Sequence, residues 1–192
     1  MMNLLRRAGL KTASFGYTTT FEDFTSINTR LVKQIISLAK TDRYIVVGHS
    51  LGGVLLRAAL NSLPVTINRP DQVFLLGSPV HASRLAKYLK NNILYRAFTG
   101  DCGQLLSSSK RMHQVGPLKD TTTSIMGVKG ISITKKFFGE EPNDGVVSIS
   151  EVNDNWIYSK IQVQIVHTLL PSSRHVTKII LNKALHLQNC PI

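Results

Sequence analysis

Cysteine is nearly absent from this chain of 192 residues: Cys102 and Cys190 stand far apart and form no C-x-x-C pair. That excludes a disulfide framework and a thiolate zinc site, and it suits a reducing compartment, so the expected location is cytoplasmic. No run of 18 or more apolar residues occurs, and no segment reads as a membrane-spanning helix. The first ten residues, MMNLLRRAGL, place their charges behind the apolar pair and lack an apolar h-region, so they do not read as a secretory signal. They read instead as the end of a helix stopped by Gly9. Carboxylates are scarce too. Eleven Asp and Glu against 23 Lys and Arg leave a formal charge of +12. The excess gathers between Arg84 and Lys136, where ten basic and two acidic residues (Asp101 and Asp120) leave +8. Such a stretch suits peripheral contact with an anionic membrane, or simply a solvated face. No aromatic-interleaved basic motif accompanies it, so nucleic acid is not an expected partner.

What remains is the composition of a globular protein. A hydrophobic fraction of 43% over this length supports one domain, residues 1–192, with a substantial core. Lys11 to Tyr17 reads as a short strand. Ile27, Leu31, Ile35 and Leu38 recur at helical spacing within about 24–40. The continuous apolar run Val73-Phe74-Leu75-Leu76, ended by Gly77-Ser78-Pro79, reads as a strand buried on both faces of a parallel sheet. A helix over about 83–91, strands at 124–128 and 161–166, and a last helix over about 174–187 complete the order. Strands alternating with helices predict an α/β fold around a mostly parallel sheet. Residues 92–123 have no clear period. A loop that long is either functional or contains short helices, and the segment is assigned as a cap over the site.

One stretch organises the rest. Tyr44-Ile45-Val46-Val47 has strand character, Gly48-His49-Ser50-Leu51-Gly52-Gly53 follows, and Val54 to Leu60 favours a helix that must stop before Pro64. Strand, tight turn and helix are the context a G-x-S-x-G motif requires. A serine hydroxyl is a weak nucleophile and has to be held clear of the packing, within reach of a base. Glycines two residues before and two after it let strand and helix approach closely enough to do so. The helix N-terminus below adds free N–H groups and a positive dipole end for a developing oxyanion. The plainer alternative is a glycine-rich loop that merely packs tightly.

A nucleophilic serine needs a base, and the base needs a carboxylate to orient it. Ser50, Asp144 and His167 follow one another in the order nucleophile, acid, base, each beyond an apolar segment. Asp144 lies in the turn Glu140-Glu141-Pro142-Asn143-Asp144-Gly145. Asp154 and Asp120 compete for the acid role but stand in no tight Asn-Asp-Gly turn; His175 competes for the base role but falls in the first turn of the last helix. His49 lies within the turn and points away from its own serine.

These residues give the chain a resemblance. GHSLGG at 48–53, LGSP at 76–79, NDGVVSISE at 143–151 and HTLLPSSRHV at 167–176 are similar to segments of the α/β-hydrolase superfamily, and within it of the small bacterial esterase/lipase-like proteins. The similarity covers nearly the whole length. It implies a three-layer α/β-hydrolase fold, Ser50 as nucleophile, Asp144 as acid, His167 as base and the Leu51 N–H as one oxyanion donor, with no metal or organic cofactor. Family members also carry an N-terminal strand ending in His-Gly, whose loop donates the second oxyanion N–H. No His-Gly occurs here, so the fold is expected to be N-terminally truncated; the strands on either side of the missing one are then left unpaired unless they close up and pair directly, which the crossover helix between them allows. The expected function is a serine hydrolase of carboxylic esters acting through an acyl-enzyme on a small-molecule or lipid-like substrate. An acyltransferase or thioesterase with the same triad, or a catalytically weak hydrolase-like protein binding anionic surfaces, are the alternatives.

Overall fold

A computed structural model of the chain describes residues 1–40 and 43–188, with the backbone alone for 186–188. Part of the turn at 40–43 and Cys190 lie outside the described residues. The elements in order are α1 (Met2–Arg7), α2 (Phe24–Leu38), β1 (Ile45–His49), α3 (Leu51–Asn61), β2 (Gln72–Leu76), α4 (Arg84–Leu89), α5 (Ile93–Ser107), α6 (Ser109–Val115), β3 (Thr122–Gly127), α7 (Lys135–Phe138), α8 (Ile149–Val152), β4 (Ser159–Val163) and α9 (Arg174–Gln188). A short 3-10 turn, His167–Ser172, precedes α9.

The four strands form one sheet in the order β1-β2-β3-β4, every neighbour parallel. Alternation along β2 shows how the layers are built. Val73 and Leu75 face α2 and α3, packing with Ile27, Leu31, Leu55 and Leu60. Phe74 and Leu76 face the other way, onto Leu5 of α1 and Val176 and Ile180 of α9. All five residues of β2 are buried, as a strand covered by helices on both faces must be. Helix α2 turns Ile27, Leu31 and Ile35 inward at one-turn spacing, and Asp23 caps its first turn by accepting the Ser26 N–H at 2.8 Å. Among the described residues, no helix is long and apolar enough to cross a membrane.

Two expectations change, and one open alternative is decided. Of the two readings of 92–123, the structure has the short helices: α5, kinked at Gly100, and α6, which pack Leu105, Met112 and Val115 onto Val54 and Ala58 of α3. Their period was hidden by the kink and by the Ser107-Ser108-Ser109 break. The strand expected over 161–166 starts earlier and ends earlier, as β4 (Ser159–Val163), because a three-residue turn (Ile165 N–H to Val163 O, 2.8 Å) breaks the ladder there. Lys11 to Tyr17 is extended but joins no sheet, so the closing-up onto β1 does not occur. Its Ser14 and Gly16 carbonyls accept instead from Gln34 and Arg30 of α2, at 3.2 Å each, while Phe15 and Tyr17 pack against the core. With these carbonyls satisfied by α2, the segment lies along that helix, and β1 forms one border of the described sheet.

Candidate functional site

Ser50 stands between β1 and α3 with φ 52° and ψ −128°, and among the described residues it is the one non-glycine at positive φ. A residue with a Cβ pays about 1–3 kcal/mol in such a region. The close crossing of strand and helix holds it there: a Cβ on Gly48 would stand 2.5 Å from Gly53 Cα, and a Cβ on Gly53 would stand 2.3 Å from Ser78 Oγ. The Ser50 N–H donates to Leu76 O at 3.0 Å, and its carbonyl accepts from Gly53 N–H at 3.0 Å. Leu51 and Gly52 open α3, so their N–H groups have no helical carbonyl one turn back to receive them.

Asp144 and His167, 23 residues apart, meet with Oδ2 and Nδ1 at 2.6 Å, both nearly buried (1% and 5% exposed). The carboxylate is fixed from its other side: Oδ1 accepts the N–H groups of Val146 at 3.0 Å and Val147 at 2.9 Å. The backbone repeats the link, since His167 N–H donates to Asp144 O at 2.9 Å. With Nδ1 donating to the carboxylate, Nε2 is left as the acceptor, the tautomer a general base needs. Glu151, only 3% exposed, locks the loop that carries Asp144. Its carboxylate accepts from the N–H of Ser148 at 2.7 Å and of Arg84 at 2.5 Å, tying the loop to the start of α4. Ser148 and Glu151 form a capping box on α8.

Gly77 decides whether this pair fits. It lies at the end of β2 with φ +51°, and a Cβ there would stand 2.9 Å from Asp144 Oδ2 and 3.0 Å from His167 Nδ1. Gly77→Ala is therefore expected to push the two apart while disfavouring the backbone, lowering kcat by about tenfold to a hundredfold at nearly unchanged KM for a p-nitrophenyl ester. Wild-type kcat in this variant would show that the pair tolerates displacement.

His49 lies against the base. Its Nε2 is 3.1 Å from His167 O, and the two rings are 4.8 Å apart. Burial first, and the neighbouring His167 imidazole second, pull the His49 pKa down to about 4. Neutral at physiological pH, it donates from Nε2 and steadies the His167 backbone. His175 is exposed on α9, away from the pair. Asp154 lies 3.6 Å from His81, and Asp120 accepts from Arg69 at 2.9 Å; neither approaches His167 as Asp144 does.

The structure thus brings Asp144 and His167 together and links Ser50 to that pair through its neighbours: His49 touches His167, and the Ser50 N–H bonds to Leu76 O, next to Gly77. Among the described residues, no hydrogen bond joins Ser50 Oγ to His167 Nε2 directly. One further side chain went unread in the sequence. The Tyr17 hydroxyl lies 3.6 Å from where a Gly52 Cβ would be, and burial, then Cys102, raise its pKa, keeping it a protonated donor beside the start of α3. Nothing in the pattern around Tyr17 signals this, because the contact depends on the segment leaving the sheet. Among the described residues, no three His, Cys, Asp or Glu side chains are grouped to hold a metal ion.

This geometry can be set beside known proteins. The PGAP1-like alpha/beta domain model matches residues 11–166. The chain belongs to that family. No match was found among curated proteins. Solved structures resemble this PGAP1-like domain at low identity. The metagenomic carboxyl esterase MGS0156 aligns with a TM-score of 0.62 at 16% identity, over 79% of this chain and 53% of that one. Tomato methylketone synthase I complexed with 2-tridecanone aligns at 0.58 and 13% identity, over 98% and 90%. Phospholipase PlaB from Legionella pneumophila aligns at 0.54 and 13% identity, over 79% and 40%. The PGAP1-like domain thus spans about half the length of the esterase and less of the phospholipase. Together with the parallel sheet between helical layers, these likenesses establish the α/β-hydrolase fold.

Proposed function

We propose that this PGAP1-like domain is a serine hydrolase of carboxylic esters. The observation that carries the reading is the buried Asp144–His167 pair beside a serine held at positive φ on a helix N-terminus. Ser50 Oγ attacks the ester carbonyl as its proton passes to His167 Nε2, and Asp144 steadies the imidazolium. The oxyanion takes the Leu51 N–H, with the Tyr17 hydroxyl as second donor. His167 then protonates the departing alcohol, leaving an acyl-serine that water cleaves by the same path reversed. No step calls for a metal or an organic cofactor. Within 92–123, the helices α5 and α6 form a cap beside the site and shape the acyl pocket.

The substrate we infer is lipid-like. A phospholipase and a complex with a long-chain ketone among the structural likenesses support this. Thioester cleavage is the second reading, supported by the likeness to the RedJ thioesterase of Streptomyces coelicolor (TM-score 0.54, 16% identity). A fluorophosphonate probe is expected to label the protein once, at Ser50, as read by peptide mass spectrometry. Labelling at another serine, or none, would remove the proposal. Comparing turnover of matched acyl esters and acyl thioesters separates the two readings.

A further inference from the structure

Helix α5 is amphipathic the wrong way round for a soluble domain. Ile93, Leu94, Ala97 and Phe98 recur at helical spacing on one face, and that face looks outward: Ile93 is 82% exposed, Leu94 68% and Phe98 69%. The kink at Gly100 (φ +51°) sets this first half of α5 apart from the second, which packs on α3. The apolar surface does not end there. Phe21, 87% exposed, follows Thr19 and Thr20, whose hydroxyls donate to Phe98 O at 2.8 and 3.3 Å. On the α4 side, Tyr88 (63% exposed) packs against Phe137 with the rings tilted by 56° and their centroids 4.8 Å apart. Isolated exposed apolar residues need no explanation, but a group of this size carried by segments packed on one another marks an interaction site.

The charge on this surface selects the partner. Lys87, Lys90 and Arg96 are exposed among the apolar residues, and no Asp or Glu occurs from Lys87 to Phe98. Among the described residues none of the three is in an ion pair. Lys136 Nζ lies 5.4 Å from the Tyr88 ring and 5.0 Å from that of Phe137, placing another cation over the aromatic pair. Apolar and aromatic side chains flanked by cations are the composition of a helix that lies in a bilayer interface: the apolar face enters the acyl boundary while Lys and Arg meet anionic headgroups. A second copy of this chain fits less well, since it would set one +12 molecule against another.

We propose that the α4–α5 face, from Lys87 to Phe98, docks peripherally on anionic lipid bilayers. The surface lies on the rim of the candidate site. Helix α4 follows directly from the Gly77–Ser83 loop, and the segment bonded to Phe98 O continues from Tyr17, whose hydroxyl adjoins Gly52. Docking therefore turns the region around Ser50 toward the membrane, where a lipid ester resides. The binding itself does not depend on the ester chemistry, so the two can fail separately.

The test is sedimentation of the full chain with vesicles of ether-linked phosphatidylcholine, with and without ether-linked phosphatidylglycerol, which the proposed activity cannot cleave. The protein is expected to pellet with the anionic vesicles, to remain in solution with the neutral ones, and to dissociate as NaCl rises from about 0.05 to about 0.5 M. Leu94→Ser with Phe98→Ser is expected to lower binding by about tenfold or more. The single change Arg96→Glu, on the same exposed surface, is expected to weaken it in a salt-dependent way. Unchanged far-UV circular dichroism is expected for both. Equal binding to neutral and anionic vesicles, or binding that survives both variants, overturns the proposal. So does a lipid-independent dimer in sedimentation velocity that dissolves in the Leu94/Phe98 variant, since the face would then be covered by a second copy.

Discussion

Ser50→Gly is expected to abolish ester turnover and to raise the melting temperature. Loss of the nucleophile in a triad removes about six orders of magnitude from kcat, because the remaining groups act only through it. The stability gain has a separate cause. Ser50 occupies φ 52°, ψ −128°, where a Cβ costs about 1–3 kcal/mol and glycine pays nothing. Glycine's additional unfolded-state entropy returns about 0.5–1 kcal/mol of that. A net gain of about 0–2.5 kcal/mol remains, centred on about 1 kcal/mol, and in a domain of this size each kcal/mol moves Tm by roughly 2–4 °C. Ser50→Ala separates the two effects: it keeps the Cβ and the strain, so it loses activity without gaining stability. Turnover surviving in either variant would refute the nucleophile assignment. A lower Tm in Ser50→Gly with activity lost would refute the strain argument alone.

That strain shows why the elbow was legible in the sequence while much around it was not. Gly48 was readable because its role is local: strand and helix cross within a few residues and leave no room for a Cβ there. Gly52, expected to share that role, would meet only the Tyr17 hydroxyl at 3.6 Å, and it is Gly53, packed on Ser78, that has no room for a side chain. Asp144 and His167 were readable from their order and their places after apolar segments, and the structure joins them at 2.6 Å. The route to Asp144 was not. The apolar Phe137-Phe138 before it belongs to the short helix α7, so Asp144 reaches His167 by a long excursion from β3, held by the Ser148–Glu151 box. Gly77 appeared in the sequence only as the end of a strand; its role depends on two side chains 67 and 90 positions further on, a distance over which periodicity carries nothing. Lys11 to Tyr17 misled for a related reason. Its composition suits a strand, but a strand exists only where a neighbour pairs with it, and here side chains of α2 take its carbonyls. Local preference is overridden wherever tertiary partners offer the backbone a different set of bonds.

Asp144→Asn is expected to lower kcat for the proposed ester hydrolysis by about 10⁴ while leaving the fold and KM almost unchanged. The substitution keeps the shape of the side chain, and the amide oxygen can still accept from Val146 and Val147 N–H in the position of Oδ1. Those two donors then dictate the rest: the amide must turn its NH₂ toward His167, where Oδ2 now sits. An NH₂ facing Nδ1 requires Nδ1 to accept, which moves the imidazole proton to Nε2. In that tautomer Nε2 has no lone pair for the Ser50 proton, and a neutral amide cannot stabilise the imidazolium if one forms. Substrate contacts are untouched, so the loss falls on kcat. Stability is expected to change little, because both buried groups keep a hydrogen-bonding partner. Asp154→Asn is the control, since Asp154 was the competing acid and pairs instead with the exposed His81 at 3.6 Å. It should leave kcat near the wild-type value. A larger loss in Asp154→Asn than in Asp144→Asn would reassign the acid, and nitrogen NMR of His167 in the two variants would read the tautomer directly.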